Sequence, residues 1–397
     1  MDKLKFLLLI LLYAILLFGL LIYSFSQIDL NLTISSNIYY QNFQKQLLYL
    51  GYFNRPLSTG LYTLIVIALF IFYLKFIDLA KHHKINDRQV MYLITIVLLF
   101  LFFSYPAFSH DIYNYMFDAR ILTTYAENPY IHKALDFPND SWIRFMHWTH
   151  RVYPYGPFWL LITLPFSYLG FGKFVITLIN FKLMFSMFYI GNIIFISKIL
   201  SKIDPKRRLL GLVFFALNPV ILIESLVSPH NEIAMLMFLF LAIYLWLINK
   251  KFLWWVIGLL LSGGVKFVTF ILLPVPFIYY RFFKKDNYTL LFKICLFLLF
   301  LLIILQIYIR MSYPWYFITL IGVASLLVNS KKITEFFLAC TLGCLLYYIP
   351  YLYVGYYPSY VVQYQFIFFV TPVFFILILL TFKTWLQKLA KKKHYKV

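Results

Sequence analysis

The sequence predicts an all-α, polytopic integral membrane protein with about 12 transmembrane helices. Of its 397 residues, 63% are apolar and only 12% are charged, and apolar runs of about 16 to 24 residues recur along the whole chain. A soluble domain has roughly 25% charged residues, whereas a helix needs about 20 apolar residues to cross a bilayer. The runs do not alternate between apolar and polar residues, which favours helices over a transmembrane barrel.

Each apolar run predicts one membrane span. In chain order the approximate spans are 4–26, 60–78, 89–108, 174–197, 209–227, 232–249, 252–264, 266–280, 289–309, 314–329, 333–349 and 361–382. The first span has no small-residue cleavage site behind it and is expected to remain uncleaved. The glycines Gly263 and Gly264 are expected to break the helix just before Lys266.

The apolar segment 156–170 is short, and we do not count it as a span. Counting it would place the five positive charges at 198–208 outside the membrane, against the tendency of basic loops to stay in the cytoplasm. We therefore expect a re-entrant or interfacial helix at 156–170, packed against protein.

The formal charge of +21 comes from lysines and arginines clustered between the apolar runs. These clusters lie at 3–5, 75–88, 198–208, 250–251, 281–293, 331–332 and 383–396. Placed on the cytoplasmic face, they satisfy the positive-inside rule and put both termini in the cytoplasm. No basic surface then remains for nucleic acid, so membrane lipids rather than polyanions are the expected surroundings.

This topology divides the chain into three parts: N-terminal spans in 1–88, a module in 89–330 with the outer loop 109–155, and C-terminal spans with a basic tail in 331–397. The loop 109–155 contains five of the fourteen acidic residues and four of the eight histidines. A long polar loop on a rigid apolar scaffold is a natural place for chemistry.

Within this loop, Asp111, Asn114, Tyr115 and Asp118 are spaced i, i+3, i+4 and i+7, which predicts one polar face of a helix. We expect this helix to lie in the membrane interface with its carboxylates towards an outer cavity. The alternative is a solvated acidic loop in which Asp118 only pairs with Arg120. The turn 153–157 contains two prolines and a glycine, so its expected role is structural.

A second polar group falls between the fifth and sixth predicted spans. Glu224 lies inside a span, where an ionisable side chain is costly and indicates a functional site. It is expected to pair with His230 across the turn. Helix capping alone would explain Ser228 and Glu232.

Cations predicted near the outer leaflet are few. Lys266, Lys182 and Arg310 belong to this group. Each either extends harmlessly to the membrane surface or binds a lipid phosphate. The three cysteines lie in apolar runs without metal-ligand spacing, which predicts packing residues.

Taken in order, the segments 110–118, 128–130, 153–157, 218–224 and 230–232 resemble the polyprenyl-phosphate-sugar-dependent glycosyltransferases of the GT-C fold. The resemblance is to the bacterial polyprenyl-phosphate-mannose mannosyltransferases and the first mannosyltransferase of glycosylphosphatidylinositol assembly. It spans about residues 105–320 and ends at a Pro-Trp-Tyr element, 314–316. One departure is Glu232, where the family often has an aspartate.

The resemblance implies an inverting transfer of a hexose, with mannose favoured, from a polyprenyl-phosphate donor to a hydroxyl of a glycan, glycolipid or protein. It implies a large first outer loop that carries the catalytic base, which by position is Asp111. The expected acceptor- and sugar-binding residues are Asn114, Tyr115, Asp118, Glu224, His230, Asn231 and Glu232. The expected donor-phosphate-binding residues are Lys266, Arg310, Arg120 and Lys182.

No cofactor and no metal are expected, because an isolated carboxylate pair is a weak site for a divalent ion. The active site is expected on the outer face, and a bacterial cell membrane is favoured over the endoplasmic reticulum. Two alternatives stay open: a lipid or glycolipid transporter, for which buried ionisable groups would also be suitable, and a non-catalytic assembly subunit.

Overall fold

The computed structural model describes residues 3–249, 251–283, 287–309, 311 and 313–394, and its regular elements in these ranges are helices. The α-helices are α1 Lys3–Ser24, α2 Ile38–Leu48, α3 Arg55–Lys81, α4 Asp87–Leu101, α5 Asp111–Tyr125, α6 Pro157–Tyr168, α7 Phe174–Ile203, α8 Arg208–Ala216, α9 Pro219–Leu222, α10 Glu232–Asn249, α11 Phe252–Val265, α12 Val275–Phe282, α13 Tyr288–Ile309, α14 Phe317–Ser325, α15 Lys331–Leu346, α16 Ile349–Val354 and α17 Ser359–His394. Short 3-10 or π turns connect several of them, including Ile223–Val227 after α9 and Pro314–Tyr316 before α14.

Among the described residues, seven helical segments are long and apolar enough to cross a membrane. They are Leu4–Gln27, Arg55–Lys81, Phe174–Ile203, Glu232–Asn249, Tyr288–Ile309, Lys331–Val354 and Ser359–Phe382. The segments Pro205–Ala216 and Pro219–Val227 form an eighth if a span bent by 51° is counted. The protein is therefore an integral membrane protein of helical class.

The count of about 12 spans stays a prediction. The four remaining predicted spans, 89–108, 252–264, 266–280 and 314–329, form helices shorter than 18 residues, and 266–280 is interrupted between the 3-10 helix Phe267–Leu272 and α12. Prolines explain one interruption, because Pro274 and Pro276 cannot continue the hydrogen bonding of the preceding helix.

The helix predicted at Asp111 is present and extends to Tyr125, but it does not lie on the surface. Residues 112–119 are all buried, because α6 and α7 pack against α5 from the protein side. An amphipathic helix in the membrane interface would leave one face uncovered. The polar residues of α5 are therefore directed into the protein, which corrects the interfacial placement.

The segment 156–170 forms α6, a helix of 12 residues. At a rise of 1.5 Å per residue, such a helix is about 18 Å long, well short of the roughly 30 Å apolar core of a bilayer. It packs against α5, α7 and α11, as expected for a helix that does not span the membrane.

The predicted break just before Lys266 is confirmed, although both glycines are still helical. Helix α11 continues through Gly263 and Gly264 and ends at Val265, and Lys266 adopts extended backbone angles. The glycines remain helical because the absence of side chains lets Phe270 and Phe158 pack directly against them.

Basic and acidic ends of several helices meet on one side of the bundle. Arg208 at the start of α8 contacts both carboxylate oxygens of Asp87 at the start of α4, at 2.5 and 2.6 Å. The predicted basic clusters at 75–88 and 198–208 therefore lie together at one end. Helices α4 and α8–α9 run from this end towards Asp111 and Glu224 respectively.

Candidate active site

Asp111 is the first residue of α5 and is 16% exposed. The chain leading to it is fixed to the turn after α9, because the Phe108 N–H donates to the Ser228 hydroxyl at 2.8 Å. The Asp111 N–H donates to the Ser109 hydroxyl at 3.2 Å. These bonds hold the start of the outer loop against the second polar group predicted from sequence.

The pairing predicted between Glu224 and His230 is present. The π turn Ile223–Val227 directs Glu224 inwards, and the His230 N–H donates to the Glu224 carbonyl at 2.9 Å. His230 Nδ1 lies 3.2 Å from Glu224 Oε2, and His230 Nε2 lies 3.9 Å from Asp111 Oδ2. The imidazole therefore lies between two carboxylates from distant parts of the sequence.

His230 is fully buried, yet its surroundings favour the charged ring. Burial alone lowers the pKa of a histidine, but the carboxylates of Glu224, Asp111 and Glu232 outweigh burial and raise the pKa of His230 above its ordinary value. A buried cation beside two acidic side chains can orient both of them.

Two aromatic residues from later in the chain also contact Glu224 and His230. The Tyr348 hydroxyl, between α15 and α16, donates to Glu224 Oε1 at 2.8 Å. The Trp315 indole stacks on the His230 ring with centroids 4.2 Å apart. Trp315 belongs to the Pro-Trp-Tyr element noted in the sequence, but Tyr348 carries no signal that separates it from the other tyrosines of this chain.

Lys266 pairs with Glu232 and is 24% exposed. Its ammonium group also lies 5.5 Å from the centre of the Tyr316 ring. The break after α11 that positions Lys266 is held by the turn 153–157, because the Gly156 N–H donates to the Val265 carbonyl at 3.2 Å. A Cβ on Gly156 would lie 2.1 Å from the Gly264 carbonyl oxygen, so only glycine allows this approach.

Asn114 and Asn231 are buried, and the side-chain nitrogen and oxygen of both have no hydrogen-bond partner among the described residues. A buried amide left unpaired costs about 1 to 3 kcal/mol. The adjacent Tyr115 hydroxyl accepts a bond from the Asn231 N–H at 3.4 Å. Two unpaired amides beside Asp111 and His230 are suitable for binding the hydroxyl groups of a sugar.

Asp118 is buried about two helical turns beyond Asp111. Burial raises its pKa to about 7, although Arg151 opposes this shift and Asp111 adds to it. The alternative in which Asp118 pairs with Arg120 is wrong. Arg120 Nε instead donates to Asp140 Oδ2 at 2.6 Å, and its guanidinium stacks on Trp142 at 4.3 Å.

The two other described cations that were predicted to bind phosphate, Lys182 and Arg120, are engaged elsewhere. The Lys182 ammonium donates to the Ser104 hydroxyl at 3.1 Å and to the carbonyls of Leu226 and Val227, so it braces the π turn from behind. Arg120 is occupied by Asp140. Arg310 lies outside the described residues. Of the three cations that the structure describes, Lys266 is the one beside the site.

The described part of the chain contains no group of three or more His, Cys, Asp or Glu side chains arranged to hold a metal ion. The predicted absence of a metal requirement stays a prediction.

Comparison with known families agrees with these observations. Residues 34–280 match the family described as alpha-(1->6)-mannopyranosyltransferase, N-terminal domain. Searches of curated proteins and of solved structures find no match. The transporter alternative is not favoured by this result. Because the match covers more than half of the sequence and includes Asp111, Glu224 and His230, the chain belongs to the alpha-(1->6)-mannopyranosyltransferase family, as its resemblance to GT-C mannosyltransferases indicates.

Proposed function

We propose that this protein is an inverting mannosyltransferase that moves mannose from a polyprenyl-phosphate donor to an acceptor hydroxyl on the non-cytoplasmic face of the membrane. The observation that carries this proposal is the convergence of Asp111, the Glu224–His230 pair and the Lys266–Glu232 pair at one end of the bundle. At that end of the bundle, Asp111 is suited to take a proton, and Lys266 is suited to neutralise a phosphate.

In the proposed reaction, the acceptor hydroxyl attacks the anomeric carbon of mannose as Asp111 takes its proton. A carboxylate within hydrogen-bond reach contributes about 10²- to 10⁴-fold as a general base. A new carbon–oxygen bond forms on one face of the sugar while the bond to the phosphate oxygen breaks on the other. Inversion of a beta-linked donor gives an alpha product, which agrees with the alpha-(1->6) linkage in the family description.

The polyprenyl phosphate leaves as an anion and needs no proton. Lys266 is the cation proposed to offset the charge that develops on it. Its present partner, Glu232, would release it as the departing polyprenyl phosphate gains a second negative charge. Asn114, Tyr115, Asp118, Asn231 and Glu232 are proposed to bind the sugars.

The location of the site supports reaction on the outer face. The basic clusters at 75–88 and 198–208 meet at the opposite end of α4 and α8–α9 from Asp111 and Glu224. If that basic end is cytoplasmic, the site faces outwards, where a lipid-linked donor is available. A bacterial cell membrane, a glycan, glycolipid or protein acceptor, and activity without metal or cofactor remain parts of this proposal.

The experiment is sugar transfer in isolated membranes from a panel of radiolabelled polyprenyl-phosphate hexoses. Wild type should transfer mannose, and Asp111→Asn at matched expression should lose at least about 10²-fold in rate. Asp136→Asn is the control, because Asp136 is an exposed carboxylate of the same loop. Sensitivity of the product to an α-mannosidase but not a β-mannosidase tests inversion. Lipid translocation without donor consumption would support a transporter instead.

A further inference from the structure

We propose that Glu224 and Tyr348 are positioning residues that hold His230 as an imidazolium facing Asp111. The inference rests on the proposed function, which makes Asp111 the base. It also places part of the active site outside the family-matching region, because Tyr348 lies beyond residues 34–280.

The four side chains form a continuous path. The Tyr348 hydroxyl donates to Glu224 Oε1 at 2.8 Å, and Glu224 Oε2 lies 3.2 Å from His230 Nδ1. On the opposite edge of the ring, His230 Nε2 lies 3.9 Å from Asp111 Oδ2. Each oxygen of Glu224 thus faces a different partner. Oε1 accepts a hydrogen bond from Tyr348, and Oε2 meets His230 at an ion-pair distance without hydrogen-bond geometry.

The charge on His230 follows from what surrounds it. The titratable groups that face the ring from packed elements are Asp111 from α5, Glu224 from the π turn and Glu232 from α10. All three are acidic, and Glu232 is already paired with Lys266. A buried carboxylate without a cation is strongly unfavourable, and His230 is the group in contact with Glu224 that can supply the positive charge.

Trp315 supports the same protonation state. Its indole is nearly parallel to the His230 ring, with an interplanar angle of 13° and a centroid distance of 4.2 Å. A cation over an aromatic face is stabilised relative to a neutral group. The stack also fixes the plane of the ring, so that its two nitrogens point to Glu224 and Asp111.

An imidazolium in this position would orient the base without acting on substrate. Its Nε2 lies nearest to Asp111 Oδ2, and the other carboxylate oxygen is the one proposed to accept the proton of the acceptor hydroxyl. The distance of 3.9 Å is longer than a hydrogen bond, and such contacts often tighten when substrate binds. During transfer the acceptor proton moves to Asp111, and His230 keeps its own proton.

The test is the pH dependence of kcat for mannose transfer in wild type, Glu224→Gln, Tyr348→Phe and Tyr189→Phe. Loss of the Glu224 charge should move the basic limb of the profile to lower pH, because the Glu224 carboxylate is one of the groups that raise the pKa of His230. Tyr348→Phe should move it in the same direction, because Glu224 loses the donor that holds its carboxylate beside His230. Tyr189 donates to the Ala216 carbonyl away from the site, so Tyr189→Phe should keep the wild-type limb.

If the rate falls equally at every pH and the basic limb of the profile does not move, Glu224 and Tyr348 have structural roles only. That result would overturn the inference. A second measurement does not depend on activity or on folded variants. In ¹⁵N-histidine-labelled wild type, one imidazolium signal should persist at a pH above the ordinary histidine pKa of roughly 6.5. Only neutral imidazoles at that pH would overturn the inference, and would do so even if no mannose transfer were detected.

Discussion

The imidazole of His230 and the indole of Trp315 lie face to face, with ring centroids 4.2 Å apart. The stack continues to Tyr313, whose ring lies 4.3 Å from that of Trp315. The three rings form an aromatic wall behind the histidine that faces Asp111. The region just before α14 therefore contributes directly to a site built mainly from α5 and the α9–α10 turn.

Replacing Trp315 tests the contribution of this wall. Trp315→Leu should lower the rate of mannose transfer about 10-fold, because losing a cation–aromatic contact of about 1 to 2 kcal/mol frees the ring to turn away from Asp111. Trp315→Phe keeps an aromatic face and should retain most of the rate. Initial rates at saturating donor measure both. Equal losses in the two variants would show that bulk, rather than stacking, is what the site requires.

Gly156→Ala tests the contact that positions Lys266. Its new Cβ would lie 2.1 Å from the Gly264 carbonyl oxygen, and a backbone atom cannot move aside without displacing the end of α11. We expect a loss of about 1 to 3 kcal/mol in the free energy of unfolding and a higher KM for donor as Lys266 shifts. Thermal unfolding in detergent and donor titration measure these effects.

The matched control is Gly60→Ala, a glycine within α3 where a Cβ would have no neighbour within 4 Å. Alanine favours a helix over glycine by about 0.5 to 1 kcal/mol, so this variant should be as stable as wild type or slightly more stable. An unchanged unfolding temperature in Gly156→Ala would mean that the turn 153–157 is not rigidly docked on α11.

Asp118 predicts a pH dependence of stability. Burial raises its pKa from 3.8 to about 7 in the folded protein, so the folded state binds its proton more tightly than the unfolded state does. Stability therefore falls as pH rises from about 4 to about 7, and the contribution is then flat. Asp118→Asn should remove this decline. Unfolding temperatures at several pH values measure it, and parallel declines in both proteins would assign the effect to other groups.

The sequence was sufficient for features that depend on local composition. Apolar runs predicted the membrane helices, and the unusual position of Glu224 inside a span predicted its pairing with His230. The polar spacing from Asp111 to Asp118 predicted a helix there. These signals are read within one element or across one turn, so they need no knowledge of which elements are neighbours.

Contacts between distant elements could not be predicted from the sequence. The pairing of Arg120 with Asp140 rather than Asp118 depends on how the outer loop folds back, and nothing local marks it. Tyr348 reaches Glu224 across 124 positions. The sequence predicts that Lys182 is an outer cation. In the structure its amine donates to backbone carbonyls of the π turn after α9.

The amide of Asn114 is buried without a hydrogen-bond partner among the described residues, and this predicts opposite effects on stability and activity. Asn114→Leu replaces the unpaired amide with an apolar group of similar shape, which should raise the free energy of unfolding by about 1 to 3 kcal/mol in the absence of substrate. The same change should lower mannose transfer, because the amide would no longer bind a sugar hydroxyl.

Asn192→Leu is the control, and it should change the free energy of unfolding in the opposite direction. The Asn192 amide donates to the carbonyls of Phe188 and Ile233, both at 2.8 Å, so its removal should destabilise the protein. Thermal unfolding and transfer rates of the two variants, measured side by side, separate the roles of two buried asparagines. A destabilised Asn114→Leu would show that the amide is satisfied in the folded protein, and an active one would remove Asn114 from the sugar-binding site.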